Sequence, residues 1–247
     1  MTPGGRFGEV VHELGEVDST QAVARELADT RAPEGTVVAA EHQRAGRGRG
    51  GRSWLDRPGE NLLLSVILRP AIQAADVPQL TLVAAVAVAE AVEEVVGLRP
   101  AIKWPNDLVL DERKFAGVLT EAASDGRAVS RVIVGIGINV NQREFPVELA
   151  ARATSLALAR GAPVERRVLR DVLLSRLERW YGVWVDHGFK PVHPEWCRRA
   201  VTVGRPVVAG DVHGTAVALD ADGALLVRDA AGCTHRIVAG EVRDASR

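Results

Sequence analysis

Lysine is scarce in this chain, and the places where it survives carry information. Of 31 basic residues only Lys103, Lys114 and Lys190 are lysines, and two of these fall in the single stretch Lys103–Lys114. A compact ammonium and a planar guanidinium are not interchangeable, so a lysine kept in an arginine-rich chain is a candidate for chemistry. Asparagine is equally sparing: Asn61, Asn106, Asn139 and Asn141. The run Lys103-Trp104-Pro105-Asn106-Asp107 sets a cation, an aromatic face, a rigid turn, an amide and a carboxylate side by side, and Lys114-Phe115-Ala116-Gly117 follows shortly after. Small residues at Ala116 and Gly117 allow close packing against that strand. An ordinary β-turn with a solvated lysine is the bland alternative, and the scarcity of both residue types argues against it.

A second candidate is the loop Arg44-Ala45-Gly46-Arg47-Gly48-Arg49-Gly50-Gly51-Arg52. Glycines let backbone N–H groups approach an anion, and arginines neutralise it. Phosphate, carboxylate and nucleic acid all fit that description. Apolar strands flank the loop, so it reads as a connection inside a domain rather than a flexible tail. We expect it to be mobile until a ligand orders it. Gly135-Ile136-Gly137-Ile138-Asn139 resembles the start of a dinucleotide fingerprint but fails it: Val140 stands where the third glycine is needed, and no helix follows. A buried strand whose glycines permit close approach is the better reading. There is no Walker-type phosphate loop and no serine nucleophile elbow, and the six histidines lack zinc-site spacing.

The elements that must hold these groups follow from periodicity. A helix is expected over Val17–Asp29, capped by Asp18 or Ser19. Thr36–Glu41 and Asn61–Leu68 read as buried strands. Pro78 and Gly97 bracket a long Ala/Val-rich helix that lies against a sheet. Strands are expected at Ala101–Trp104, Leu108–Leu110, Lys114–Glu121 and Val129–Val140, then an amphipathic helix over Val168–Val185 and a short one over Pro194–Ala200. From Val201 the texture turns to short β-runs (Val203–Val208, Gly214–Leu219, Leu225–Arg228, Thr234–Val238), the pattern of a small appended barrel. The expected fold class is α+β, with a mixed-sheet domain over residues 1–199 and the barrel over 200–247.

The bulk numbers narrow the partners. A net charge of −1 over 247 residues gives no global pull toward nucleic acid or membrane. The segment from Val201 carries five Arg against six acidic residues, a poor nucleic-acid module. Two unrelated cysteines, Cys197 and Cys233, suit a reducing compartment. The start of the chain, Met1 to Gly8, is polar and lacks an apolar h-region, and acidic residues interrupt the most apolar stretch, Leu80 to Val96. We expect a cytoplasmic enzyme.

In order and spacing, these segments resemble the biotin–protein ligase family. The resemblance runs through Asp18-Ser19-Thr20, Glu41-His42-Gln43-Arg44-Ala45-Gly46-Arg47-Gly48-Arg49 to Trp54, Asn61-Leu62, Lys103–Asp107, Lys114–Gly117 and Gly135–Asn139. One such segment could arise by chance; several in order could not. The resemblance implies a catalytic domain related to lipoyl ligases plus an SH3-like barrel. It implies ATP and biotin as substrates, Mg²⁺, and a biotin carboxyl carrier domain of a carboxylase as protein partner. About 17 residues precede Asp18-Ser19-Thr20, too few for the DNA-binding domain of some members, so no DNA partner is expected; monomer and homodimer both stay open. Where the family often has Asn after Ser-Thr, this chain has Gln21.

By the same resemblance Ser19, Thr20, Gln21 and Gln43 read the ureido head of biotin. Arg47, Gly48 and Arg49 close over biotin and the anhydride, and Arg49 neutralises phosphate and excludes water. Lys114 bridges the biotin carboxylate and the α-phosphate. Lys103 and Arg52 lie by the nucleotide's phosphates, Trp54 packs on adenine, and Asn106 and Asn139 make polar contacts to the nucleotide. Asp107 either positions a Mg²⁺-bound water or pins the Lys103 turn. Two rivals remain: an enzyme of the same fold acting on lipoate or octanoate, and a non-catalytic ligand- or RNA-binding protein. The Lys-Trp-Pro-Asn-Asp segment disfavours the first, and the neutral charge with few stacking aromatics disfavours the second.

Overall fold

The computed structural model describes residues 7–125 and 128–245. Most of the expectation about the chain start, Met1 to Gly8, lies outside them. In chain order the elements are β1 (Val11–Val17), α1 (Thr20–Asp29), β2 (Val37–Gln43), β3 (Leu62–Leu68), α2 (Val77–Val96), β4 (Ala101–Lys103), β5 (Asp107–Leu110), β6 (Arg113–Asp125) and β7 (Ala128–Ile138). Then come α3 (Val147–Ala150), α4 (Leu156–Arg160), α5 (Arg166–His187), α6 (Val192–Arg199), β8 (Pro206–Ala209), β9 (Val212–Leu219), β10 (Leu225–Arg228), β11 (Thr234–Ile237) and β12 (Val242–Asp244).

The first seven strands form one sheet in the order β1-β2-β3-β7-β6-β5-β4. Only β1 and β2 run parallel; every other pair is antiparallel, so the sheet is mixed. β3 is buried on both faces along its whole length, which is why its sequence, Leu-Leu-Leu-Ser-Val-Ile-Leu, shows no alternation. On one face α1 sets Ala24 and Ala28 against Val38, Ile67 and Ile133. On the other, α2 lies on the sheet with α5 packed over it. The Ala/Val body of α2 is what permits this: its small side chains are buried almost all round, so sheet and α5 both approach closely.

The last five strands form a second, wholly antiparallel sheet ordered β11-β10-β9-β8-β12. Among the described residues no pairing joins β11 to β12, so the sheet is open. It is not loosely tethered. Val201 N–H donates to Ile102 O (3.0 Å), Trp104 Nε1 to Gly223 O (3.0 Å) and Trp104 N–H to Thr202 Oγ1 (2.8 Å). One hydrophobic cluster runs from Val83 and Ile102 through Trp104 to Leu225 and Val227. The Trp104–Pro105 peptide at the centre of this junction is cis.

Four elements depart from the sequence reading. Val17 closes β1 instead of opening α1, because β1 is a half-exposed edge strand whose polar residues hide its periodicity. β12 and the short helices α3 and α4 are too brief to leave a periodic signal. The Arg/Gly loop contains a tight helical turn, Arg49–Gly51, where Gly50 takes φ 66°.

Candidate functional site

Every site residue named from the sequence lines one cavity of about 680 Å³ on the face of the first sheet that α1 packs against, over its central strands β7 and β6. These residues come from the start of α1, the end of β2, the Arg/Gly loop, the β4–β5 hairpin, β6 and the end of β7.

Ser19 occupies the N-cap position of α1, but its hydroxyl makes no capping bond, so it is left to face the cavity. Thr20 and Gln43 are locked together: Thr20 N–H and Oγ1–H both donate to Gln43 Oε1, at 2.8 and 3.1 Å. With its carbonyl occupied twice, Gln43 keeps its amide Nε2 as the free end. Behind them Ser65, fully buried on β3, donates to Thr20 Oγ1 at 2.9 Å. Sequence reasoning passed over Ser65; a lone hydroxyl in the run Leu62–Leu68 was the available signal. Gln21, in place of the usual Asn, donates from Nε2 to Leu119 O at 2.8 Å and is buried.

The glycines of β7 make room for these side chains. A Cβ on Gly135 would stand 2.9 Å from Gln21 Cδ, and one on Gly137 would stand 2.7 Å from Trp54 Cε2. The close approach expected at these glycines is made by Gln21 and Trp54, for which the bare strand is a floor. Trp54 lies on that floor with Lys114 Nζ 5.6 Å from its ring centroid.

Lys114 Nζ is 2.6 Å from Asp107 Oδ1, a close ion contact without hydrogen-bond alignment. Asp107 also faces Lys103 across the β4–β5 register, so it does sit at the Lys103 turn. Asn106 Nδ2 donates to Val118 O (3.0 Å) and Asn139 Nδ2 to Thr154 O (3.1 Å). Asn139 Oδ1 and Trp54 Nε1 are buried with no partner among the described residues. An open acceptor and an open donor beside one cavity suit a polar ligand.

The loop is a hairpin held by Trp54 N–H to Gly46 O (2.9 Å) and Gly48 N–H to Arg52 O (2.6 Å). Burial pushes the Arg49 guanidinium below its usual value, with Asp107 and Glu241 pulling the other way. Arg47 reaches Glu121 at 3.3 Å, and Arg52 reaches Glu241 at 3.3 Å. Glu241, from the segment leading into β12, was not anticipated. It is held below the usual carboxylate range by its hydrogen bond to Arg243, with Arg52 and Lys103 adding to the effect. The second sheet thus contributes charge to the cavity rim.

The chain matches known proteins over most of its length. Residues 14–139 match the family model described as the biotin/lipoate A/B protein ligase family, and residues 199–243 match the biotin protein ligase C terminal domain. Fold and cavity therefore define a ligase of the biotin/lipoate class. The relatives narrow it further. The bifunctional ligase/repressor BirA of Bacillus subtilis is 41% identical over 90% of this chain and 72% of its own length. The biotin–[acetyl-CoA-carboxylase] ligase of Paracoccus denitrificans is 36% identical over 89% of this chain and 94% of its own. The structure of the Aquifex aeolicus biotin protein ligase in complex with biotin and ATP superposes with a TM-score of 0.84 at 32% identity, covering 96% of this chain and 100% of that one. The chain belongs to the biotin protein ligase family. No helix among the described residues is long and apolar enough to cross a membrane.

Proposed function

We propose that this protein activates biotin with ATP and attaches it to a lysine of a biotin carboxyl carrier domain. The observation that carries the reading is the convergence of Ser19-Thr20, Gln43, Arg47-Gly48-Arg49 and Lys103-Trp104-Pro105-Asn106-Asp107 with Lys114 and Gly117 on one cavity, where Lys114 meets Asp107.

In the first step a biotin carboxylate oxygen attacks the α-phosphorus of ATP. The bond from that phosphorus to the bridging oxygen breaks, pyrophosphate leaves, and biotinyl-5′-AMP remains. In the second, a neutral lysine amine attacks the acyl carbon, the bond from that carbon to the bridging oxygen breaks, AMP leaves with that oxygen, and the nitrogen loses a proton to solvent as the amide forms. Neither step needs a protein nucleophile; both need alignment and charge neutralisation. The ureido head fits the end where Ser19 and the free Gln43 Nε2 offer polar contacts and Thr20 and Gln21 brace the wall. Lys114, steered by Asp107, serves the carboxylate and α-phosphate together. Trp54 and the orphan Asn139 Oδ1 suit an adenine with an exocyclic amine, Asn106 shapes the adjoining wall, and Lys103 and Arg52 suit its phosphates. Arg47, Gly48 and Arg49 form the cover that keeps water from the mixed anhydride.

Mg²⁺ enters as part of the MgATP substrate. Magnesium ordinarily keeps several waters and binds through substrate phosphates and one or two carboxylates. Asp107 is better supported as a partner of Lys114 than as a contact to metal-bound water. We read residues 1–199 as the catalytic unit and 200–247 as an SH3-like unit, supported by its five short antiparallel strands. The setting we favour is the cytoplasm. The test is biotin-dependent exchange of radiolabelled pyrophosphate into ATP, with lipoate and octanoate as controls. Exchange with biotin alone is expected; exchange with lipoate or octanoate instead, or with no acid, overturns the reading.

A further inference from the structure

One fully enclosed carboxylate has no part in the chemistry above. The Asp56 side chain is 0% exposed, although Asp56 lies on the outgoing stem of the Arg/Gly loop. Its Oδ1 is 2.8 Å from His42 Nδ1, and its Oδ2 accepts from Gln43 N–H at 3.3 Å. A carboxylate partner makes Nδ1 the donor of the His42 ring. The same stem runs on beside β2, where Gly59 N–H donates to Glu41 O at 3.0 Å. The incoming stem is tied on the other side: Arg44 N–H donates to Val17 O and Ala45 N–H to Asp18 O, both at 2.9 Å.

We infer that Asp56, oriented by His42, is a positioning residue for biotin: it holds the Gln43 backbone so that the Gln43 amide points into the slot. Gln43 is gripped at both ends. Thr20 holds its side-chain carbonyl, and Asp56 holds its backbone N–H. What remains free is Nε2, a donor suited to the ureido oxygen. The geometry also ties the end of the loop that carries Arg47, Arg49 and Trp54 to the strand that reads the head of biotin. The enclosure of Asp56 is what gives the clasp its strength, because a buried acceptor shared by two donors resists reorientation more than an exposed ion pair does. The consequence is selective. Loss of the clasp loosens the ureido end, whereas the nucleotide end has its own anchors: Lys103, Asn106, Lys114 and Asn139 come from the β4–β5 hairpin, β6 and β7, and Trp54 is held by its N–H to Gly46 O and by the Gly137 floor.

This inference rests on the biotin reading of the site, and the experiment separates the two. Pyrophosphate exchange is measured for the parent and for Asp56→Ala and His42→Phe, varying biotin and MgATP in turn. The His42→Phe variant keeps ring volume, so it reports on the clasp even if Asp56→Ala does not fold. Each folded variant is expected to raise the biotin KM, by about tenfold for Asp56→Ala and less for His42→Phe. The MgATP KM at saturating biotin and kcat should stay within about twofold, since uniform binding is what is lost. Asp56→Asn, which keeps one acceptor oxygen, should recover most of the biotin KM. In a Gln43→Ala background the two substitutions should add little. An unchanged biotin KM, equal rises for both substrates, or full additivity with Gln43→Ala overturns the positioning role. No biotin-dependent exchange in the parent overturns the function itself.

Discussion

Lys114→Ala is the sharpest perturbation of the proposed chemistry. The ammonium lies 2.6 Å from Asp107 Oδ1, and the two side chains are 35% and 23% exposed. Deleting it does two things. It removes the cation that faces the developing charge between carboxylate and α-phosphate, and it leaves the Asp107 carboxylate facing the same oxygens unscreened. Loss of one preorganised donor of this kind costs about 2.7–4 kcal/mol, or about 10²–10³ in rate. A unit charge pair at about 4 Å under an effective dielectric of about 20 is worth about 4 kcal/mol, which supports the upper end. The added repulsion from Asp107 pushes the expected loss of adenylate formation to at least about 10³-fold. Stability should hardly move. A partly exposed ion pair contributes about 1 kcal/mol or less, so the melting temperature should fall by no more than about 4 °C. The assay is biotin-dependent pyrophosphate exchange beside a thermal melt. Adding Asp107→Asn to Lys114→Ala should restore about tenfold of the lost rate, because the uncompensated carboxylate is then gone. Near-normal exchange in Lys114→Ala, or a double variant no better than the single one, refutes the reasoning.

The other predictions concern the cover and the floor. Arg49→Gly removes a half-buried guanidinium from the loop and should let biotinyl-AMP escape, read as faster release of adenylate from the isolated complex; release at the parent rate means that Arg49 is no clamp. Gly137→Ala sets a Cβ 2.7 Å from Trp54 Cε2, so the indole must shift at a cost of about 1–3 kcal/mol, and the MgATP KM should rise by about tenfold or more with the biotin KM little changed. Glu241→Gln breaks the contact to Arg52, an exposed pair worth about 0.2–1 kcal/mol, so adenylate release should quicken by less than about fivefold. Salt should act in the same direction: near 1 M ionic strength the screening length drops to about 3 Å, and loop contacts such as Arg47–Glu121 and Arg52–Glu241 weaken, so parent adenylate release should rise and the Glu241→Gln increment should shrink.

Much of the site is legible in the amino-acid sequence. Scarcity marks Lys103, Lys114, Asn106 and Asn139, and a Gly/Arg loop between apolar strands marks Arg47 to Arg52. Long elements with strong patterning, such as α2 and β3, are legible for a related reason: extensive burial leaves a long, predominantly apolar signal. Groups acting through one partner at long sequence distance leave no such mark. Glu241 meets Arg52 from the far end of the chain. Ser65 looks like a blemish in an apolar strand until Thr20 stands beside it. β1 hides because an edge strand is only half buried.

By itself, then, the order of residue types determined the kind of chemistry and the order of the main elements, because both depend on local composition and on periods of two or about 3.6 residues. The tertiary structure alone decided the rest. It aimed Gln43 by occupying its carbonyl twice, set Lys114 against Asp107, laid Trp54 on the bare floor of Gly137, and brought Glu241 of the second sheet to the rim. Those outcomes depend on distances between segments far apart in the chain, and such distances exist only once the two sheets share one core.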